Sequence, residues 1–362
     1  MKKNINPDNL YFVIMAGGVG ARFWPASRES LPKQFLDILG VGRSLLQMTF
    51  DRISPLASPD KIIILTHEKY RNLVSEHLPD IPRHNILTEP ARRNTAPCVA
   101  YVSLHIAARD PDASMTILPA DHLITKEQEF LEVVHASVKY TEQHPVILTL
   151  GMKPHRPDTG YGYIKLGSET SDPKIFSVRS FTEKPDLPTA REYLAGGEHM
   201  WNAGIFISSA QTMTQAFRKL APDIYNTLYA PGIFGTTQEA DHISICYAKS
   251  PSISLDFAIM EKADNIVCMP ADIGWSDVGT WKSLYDLQQK DGISTNVRTS
   301  HREIQESDSI LIYGEGGKKY LIKGLEKMII VDREDILMIW PLKEEQEIKK
   351  IREKCARDWG LE

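Results

Sequence analysis

Short apolar runs alternate with helical patterns along residues 11–150, and this alternation limits the possible folds more than any other feature of the sequence. The first run, YFVIM, is continuously apolar and ends at a Gly-Gly pair, as strands buried on both faces do. The runs occupy residues 11–15, 62–65, 85–87, 115–118 and 146–150. Strands separated by helices predict βαβ units and a mostly parallel sheet, so the expected fold class is α/β.

The pattern changes after residue 160. The next strands are predicted at 161–166, 175–181 and 203–207, with helical stretches at 254–262 and 279–287. Glycine-punctuated short strands then follow at 310–313, 320–322, 328–331 and 336–339, before a charged helix at 343–357. We therefore expect a larger α/β domain over residues 1–290 and a small β-rich C-terminal domain with a terminal helix over residues 291–362.

Charge and cysteine content exclude several classes of protein. The 42 Lys and Arg residues against 47 Asp and Glu residues give a net charge of -5, which argues against a dedicated nucleic-acid binder. The cysteines lie far apart without a C-x-x-C pair, which argues against a disulfide framework and a structural zinc site. The N-terminus is polar, and no apolar run approaches the roughly 18 residues of a membrane span. The sequence therefore predicts a cytoplasmic protein with no nucleic-acid or membrane partner.

A glycine-rich loop, AGGVGARFWP, follows the first predicted strand at residues 16–25. Gly17, Gly18 and Gly20 leave room for backbone N–H groups to approach phosphates, and Arg22 adds a cation. A dinucleotide fingerprint would need Gly or Ala where this chain has Phe, and the Gly-Lys-Ser/Thr of a P-loop is missing. The loop thus predicts phosphate binding and argues against a nicotinamide-dependent oxidoreductase.

Further motifs follow the loop in a fixed order. They are WPASRESLPKQF (24–35), LTEPARRNTAP (87–97), DHLI (121–124), GMKPHRPDTGYGYI (151–164), FTEKP (181–185), WNAGIF (201–206), SLDFAIMEK (254–262) and WSDVGTW (275–281). With this ordered set the chain resembles the mannose-1-phosphate guanylyltransferases among the sugar-nucleotide pyrophosphorylases, over about residues 11–290.

The resemblance implies a Rossmann-like, GT-A-like nucleotidyltransferase fold with a mixed, mostly parallel sheet. It implies an enzyme, expected as a homodimer, that transfers GMP from GTP to α-D-mannose 1-phosphate with the help of Mg²⁺ and gives GDP-mannose and pyrophosphate. The alternatives are a pyrophosphorylase with another base or sugar and a non-catalytic regulatory subunit that binds a GDP-sugar. Because the sequence stops at Glu362, without the isomerase domain of longer relatives, we expect the monofunctional short form.

The resemblance also assigns catalytic residues. Arg22 is expected to stabilise the departing pyrophosphate and Lys33 the α-phosphate, because two polyanions must be brought together. Asp121 follows a predicted strand at the edge where open α/β sheets bind ligands, and it is expected to hold Mg²⁺ together with Asp277. A helix N-cap is the alternative for Asp277. Since Lys33 sits in a polar loop, its replacement is expected to leave folding intact.

Other residues are expected to bind the base and the sugar. Nucleotide binding is assigned to Ala16, Gly17, Gly18, Gly20, Arg22, Lys33, Glu89, Asn94, Thr95 and Asp121. Glu89 could accept from both N1–H and the 2-amino group of guanine, or it could pair with Arg92 or Arg93. Sugar-phosphate binding is assigned to Gly162, Glu183, Lys184 and Asn202. Asp256 and Glu261 lie five apart on a predicted helix and are not expected to share a face, so Asp256 is interpreted as structural.

Overall fold

The computed structural model describes residues 9–291, 296–297, 301–305, 309–314 and 318–361. In chain order its strands are β1 (Leu10–Ala16), β2 (Ile62–His67), β3 (Ile86–Glu89), β4 (Ser114–Pro119), β5 (Leu123–Ile124), β6 (Ile147–Met152), β7 (Gly162–Glu169), β8 (Phe176–Glu183), β9 (His199–Ser209), β10 (Ile266–Ala271), β11 (Trp275–Ser276), β12 (Asn296–Val297), β13 (His301–Gln305), β14 (Leu311–Tyr313), β15 (Lys319–Lys323), β16 (Met328–Asp332) and β17 (Leu337–Pro341).

The α-helices alternate with these strands in the first half of the chain. They are α1 (Leu45–Ile53), α2 (Arg71–His77), α3 (Thr95–Arg109), α4 (Glu127–Thr141), α5 (Leu187–Gly196), α6 (Ala210–Leu220), α7 (Pro222–Leu228), α8 (Glu239–Cys246), α9 (Trp281–Asp291) and α10 (Ile348–Trp359). A π-helix covers Asp256–Met260. Within the described residues no helix combines the length and the apolar character needed to cross a membrane.

The chain forms two compact units, and each draws on separate stretches of sequence. Unit 1 comprises Met1–Gly17, Phe50–Pro119 and Ile124–Trp275, and unit 2 comprises Gly18–Thr49, Ala120–Leu123 and Ser276–Glu362. The expected domains, 1–290 and 291–362, are continuous in sequence. That division remains a prediction.

Unit 1 is built on a mixed nine-stranded sheet in the order β3-β2-β1-β4-β9-β6-β10-β8-β7. Strand β1 pairs in parallel with β2 and β4, whereas β9 pairs antiparallel with both β4 and β6. Buried Phe130, Val134 and Val138, spaced by four residues, form the inner stripe of α4. The α/β class and the mixed sheet are therefore confirmed.

One interior strand was not predicted from the sequence. Residues 266–271 form β10, which pairs in parallel with β6 and antiparallel with β8. Pro270, which is disfavoured inside sheets, weakens the strand signal of this short run. The strand forms because its flanking strands bury Ile266, Val267 and Cys268.

Unit 2 contains both the C-terminal strands and Gly18–Thr49, the segment that carries most of the glycine loop. Strands β12, β14 and β16 pair in parallel and β17 closes this sheet antiparallel, while β13 and β15 form a separate parallel pair. A shared core contains Phe23, Trp24, Trp281 and Tyr313. The Trp281 indole N–H donates to the carbonyl of Trp24 over 3.3 Å. The small C-terminal β region that the sequence predicted is thus confirmed.

Candidate active site

A cavity of about 310 Å³ in unit 2 gathers residues from four separate parts of the sequence. Arg22, Lys33, Asp121 and Asp277 all line it, as do Gly20, Ala21, His122, Gly279 and Lys349. The structure therefore brings together the three predicted catalytic residues and the second predicted metal ligand. Sequence analysis missed Lys349, since nothing distinguishes it from the other lysines of its charged helix.

The glycine loop holds Lys33 through backbone contacts. Gly20 has φ +74°, and a Cβ at this position would collide with the Cβ of Lys33. The Lys33 amide donates to the carbonyl of Val19 over 3.1 Å, and the Ser27 hydroxyl donates to the carbonyl of Gly20. Glycine is therefore needed at position 20, because only glycine adopts this conformation without strain and leaves space for the lysine.

The Lys33 ammonium is buried, with the residue only 3% exposed. It donates to Asp121 Oδ2 over 3.0 Å, to the Asp121 carbonyl over 3.2 Å and to the Asp277 carbonyl over 2.9 Å. These bonds use the full donor capacity of an ammonium group. Lys33 therefore joins the two segments that carry the predicted metal ligands, a positioning role that the motif did not indicate.

The Asp121 carboxylate is held in its ionised form. Burial raises the pKa of Asp121, but the Lys33 ammonium, His122 and the hydrogen bond from Lys33 outweigh burial and hold the pKa below its ordinary value. The side chain remains 36% exposed, so it can still reach a ligand in the cavity. A charged carboxylate is thus present at neutral pH.

Asp277 stabilises its own turn as well as lining the cavity. Its Oδ1 accepts from the Gly279 amide over 3.2 Å, and a Cβ at Gly279 would meet Oδ2. The following helix, α9, is capped instead by Thr280, whose hydroxyl accepts from the Ser283 amide over 3.1 Å. The N-cap alternative for Asp277 is therefore not realised, and its metal-binding role remains a prediction.

The donor set of this cavity fits Mg²⁺. Asp121 and Asp277 offer hard carboxylate oxygens, whereas no cluster of three or more His, Cys, Asp or Glu side chains gathers anywhere in the described part of the chain. Mg²⁺ is commonly held by one or two carboxylates, with phosphate and water oxygens completing its octahedron. A structural zinc or calcium cage would require more protein ligands than these two.

In unit 1, Glu89 is buried beside the start of the glycine loop. Its Oε1 accepts from the Tyr247 hydroxyl, and its Oε2 lies 3.3 Å from where a Cβ on Gly17 would stand. Arg92 donates to the Tyr70 hydroxyl and Arg93 to the Ala248 carbonyl. In the described structure Glu89 thus pairs with Tyr247 and with neither arginine. Tyr247 carried no signal in the sequence.

Burial raises the pKa of Glu89 to about 8. An acid whose pKa is higher in the folded than in the unfolded chain favours folding at low pH, and this contribution is lost as the pH rises from the unfolded value of 4.5 towards 8.

We expect Glu89→Gln to reduce the pH dependence of stability. Between about pH 6 and about pH 7.5, the wild type should lose about 1.4 kcal/mol per pH unit relative to the variant. Urea unfolding at several pH values measures this difference, and Glu192→Gln, at an exposed position, serves as the control. Parallel stability curves for wild type and Glu89→Gln would show that Glu89 is ionised when the chain is folded.

Asn94 and Thr95 organise the start of α3. Asn94, with φ 63°, accepts at Oδ1 from the Thr95 amide over 2.8 Å. The Thr95 hydroxyl accepts from the Leu255 amide over 2.8 Å. These two residues connect the loop after β3 to the residues that precede the π-helix. Their assignment to nucleotide binding remains a prediction.

The predicted sugar residues also lie in unit 1, and three of them come close together. Gly162 on β7 pairs directly with Glu183 on β8, and a Cβ on Gly162 would stand 2.6 Å from Glu183 Oε2. Lys184 forms an ion pair with Glu183. Asn202 accepts at Oδ1 from the Thr149 hydroxyl over 2.9 Å and donates through Nδ2 to Asp256 Oδ1 over 3.0 Å. Glycine at 162 thus keeps space over the Glu183 carboxylate.

The expectation that Asp256 and Glu261 point to different faces was wrong. Their segment is a π-helix, in which the Glu261 amide donates to the Asp256 carbonyl five residues back. Glu261 Oε1 accepts from the Glu183 amide over 3.1 Å. Burial and the charge of Glu183 raise the pKa of Asp256 to about 6. Asp256 therefore belongs to the same polar cluster as Glu183 and Asn202.

Several known proteins are similar to this chain. The family model for nucleotidyl transferases matches residues 11–293. The chain is 37% identical to the xanthan biosynthesis protein XanB of Xanthomonas campestris over 344 residues, which cover 94% of this chain and 72% of that protein. It is 38% identical to mannose-1-phosphate guanylyltransferase 2 of Escherichia coli O157:H7 over 355 residues, covering 94% of this chain and 72% of that protein.

A solved structure is similar to this chain over most of its length. A protein of Thermus thermophilus, described as a mannose-1-phosphate geranyltransferase, superimposes with a TM-score of 0.86 at 27% identity and covers 96% of this chain and 99% of its own.

Proposed function

This chain belongs to the nucleotidyl transferase family, and we propose that it transfers GMP from GTP to α-D-mannose 1-phosphate, giving GDP-mannose and pyrophosphate. One observation carries the proposal. Arg22, Lys33, Asp121 and Asp277, four residues from separate motifs, line a single cavity that offers both cations and carboxylates. Relatives named mannose-1-phosphate guanylyltransferases, at 34–38% identity, support the choice of base and sugar.

The reaction is a displacement at phosphorus. An oxygen of the sugar phosphate attacks the α-phosphorus of GTP, and the bond from that phosphorus to the oxygen bridging to the β-phosphate breaks as pyrophosphate leaves. The Arg22 guanidinium supplies charge to the leaving group, and Lys33 supplies charge near the α-phosphate while it positions Asp121 and Asp277. Backbone amides at Ala16, Gly17, Gly18 and Gly20 add donors to the phosphates.

Asp121 and Asp277 would hold Mg²⁺. When bound, this ion would offset the negative charge of the phosphates. Asp121 suits this role because its carboxylate is ionised and remains partly exposed in the cavity.

We assign base recognition to Glu89, with Asn94 and Thr95 shaping the adjoining loop. Guanine presents N1–H and the 2-amino group as neighbouring donors, and one carboxylate can accept from both. Because Glu89 has a pKa near 8 in the structure, guanine binding would draw a proton from it at neutral pH. The sugar phosphate is assigned to Gly162, Glu183, Lys184 and Asn202, to which the structure adds Asp256.

Turnover with a panel of substrates tests the proposal. We expect GTP with mannose 1-phosphate to give the highest kcat/KM when ATP, UTP and dTTP are each offered with mannose, glucose and galactose 1-phosphates. Glu89→Gln should narrow the preference for GTP over ATP by roughly 10–100-fold, since a bidentate base contact contributes about 1–3 kcal/mol of discrimination. Higher kcat/KM with another pair would identify a pyrophosphorylase of different specificity. Binding of GDP-mannose without turnover of any pair would identify a regulatory subunit.

We further propose that the enzyme works as a cytoplasmic homodimer. Light scattering of the purified protein at micromolar concentration would give its mass in solution, and a monomer mass would contradict the dimer.

A further inference from the structure

A second and larger cavity, of about 500 Å³, lies in unit 1 along the edge strand β3. Its walls come from β3, from one face of α3 and from α8. Prominent among its lining residues are Arg71, Arg83, Tyr101, His105, Arg109 and Glu239. None of the residues assigned above to the nucleotide, the sugar phosphate or the metal lines this cavity.

The cavity carries an excess of positive charge. Arg71, Arg83 and Arg109 contribute three guanidinium groups, and the carboxylates that line it are Glu68 and Glu239. Arg71 donates to the Thr88 hydroxyl over 2.6 Å. The guanidinium groups of Arg83 and Arg109 have no hydrogen bond or ion pair with any residue that the structure describes. Two exposed guanidinium groups that line one cavity therefore have N–H donors available to an anion.

A buried pair forms one wall of the cavity. His105 is 2% exposed and Glu239 is 5% exposed, and His105 Nδ1 lies 2.6 Å from Glu239 Oε1. Glu239 Oε2 accepts from the Gly235 amide over 2.6 Å. Burial raises the pKa of Glu239, but the hydrogen bond and charge of His105, with donors from Gly235 and Tyr101, outweigh it and hold the pKa below its ordinary value. Glu239 is therefore ionised and fixes the imidazole ring through Nδ1.

The other ring nitrogen of His105 has no partner among the described residues. Nε2 is buried and forms no hydrogen bond with any described residue. An unsatisfied buried polar atom is costly, and buried polar groups without a partner are rare in native structures. His105 also lines the cavity, so this wall combines a fixed ion pair with an unsatisfied polar atom.

We propose that this cavity binds a phosphorylated small molecule, a nucleotide or a sugar phosphate, with its phosphate at Arg83 and Arg109 beside the wall formed by His105 and Glu239. The volume lies within the range of small-molecule sites, and Ile86, Leu87 and Ile243 add an apolar wall for a ring. Thr88 and Pro90, the neighbours of Glu89, also line the cavity, so an occupant contacts the strand that carries the proposed base-reading residue. The site is thus suited to a regulator of nucleotide binding.

Calorimetric titration of the full chain tests this site, with GDP and mannose 6-phosphate as separate probes. Arg83→Ala/Arg109→Ala removes both guanidinium groups at exposed positions, so it should fold normally. Arg191→Ala/Arg218→Ala is the matched control, with the same loss of charge at exposed positions outside the cavity. Lys33→Ala marks binding at the active site.

We expect at least one probe to show a binding event that Arg83→Ala/Arg109→Ala weakens about tenfold or more, the scale of losing a charge-assisted contact. That event should persist in the control and in Lys33→Ala. The probe that is affected identifies the class of ligand. The proposal is wrong if Arg83→Ala/Arg109→Ala binds both probes with the stoichiometry and affinity of the wild type. Turnover with the substrate panel is independent of these titrations, so the two proposals can fail separately.

Discussion

Replacing both carboxylates of the proposed Mg²⁺ site is expected to lower activity scarcely more than replacing the one with the larger single effect. Asp121→Asn and Asp277→Asn each keep the size of the side chain but remove one formal charge from the proposed Mg²⁺ site. Each single variant should lose roughly 10³-fold in kcat, the scale of a lost preorganised electrostatic contact. Because both side chains would act through one ion, their effects should be strongly non-additive.

Metal binding gives this prediction a readout besides activity. Mn²⁺, followed by electron paramagnetic resonance in the presence of GTP, should bind more weakly to each single variant, and raised Mg²⁺ should partly restore turnover. Asp286→Asn is the control, since Asp286 forms a surface ion pair with Lys282 outside the cavity. Additive losses, or turnover that does not depend on a divalent metal, would mean that the two aspartates do not share an ion.

Lys33→Ala is expected to lower kcat by roughly 10²–10³-fold. The structure changes the expectation for stability, because Lys33 is buried and bonds to Asp121 and to the Asp277 carbonyl. Its removal should also destabilise the fold, by about 1–2 kcal/mol, because Asp121 is partly exposed and water can replace part of the lost contact.

A second variant separates the charge of Lys33 from its hydrogen bonds. Lys33→Gln keeps two donors without the charge, so its unfolding midpoint should lie closer to that of the wild type while its kcat falls as far as that of Lys33→Ala. Lys350→Ala, an exposed residue next to the cavity-lining Lys349, is the control. Near-normal kcat in Lys33→Gln would show that the charge of Lys33 takes no part in the chemistry.

The cavity lined by Lys33, Asp121 and Asp277 also explains how widely spaced motifs can act together. Lys33 and Asp121 are 88 residues apart, and Lys33 and Asp277 are 244 apart, yet one ammonium group bonds to both segments. A motif records which residues are present and in what order, whereas the distance between an ammonium and a carboxylate depends on how the segments pack. The motifs therefore identified Lys33 and Asp121 as candidates, and they gave no indication that the two form an ion pair.

The sequence by itself determined the α/β class, most strands of unit 1 and four of the residues that line the candidate site, Arg22, Lys33, Asp121 and Asp277. Buried parallel strands need continuous apolar runs. Three such runs end within a few residues of the ends of β1, β2 and β4, which lie at residues 16, 67 and 119. Only the tertiary structure showed that β10 forms and that each unit is assembled from distant stretches of the sequence. It also showed the π-helix that places Asp256 and Glu261 near Glu183, and the burial that raises the pKa of Glu89. Local sequence patterns report the periodicity of burial along one segment. Desolvation, ion pairing and strand partners depend instead on contacts between segments far apart in the chain, which no local pattern contains.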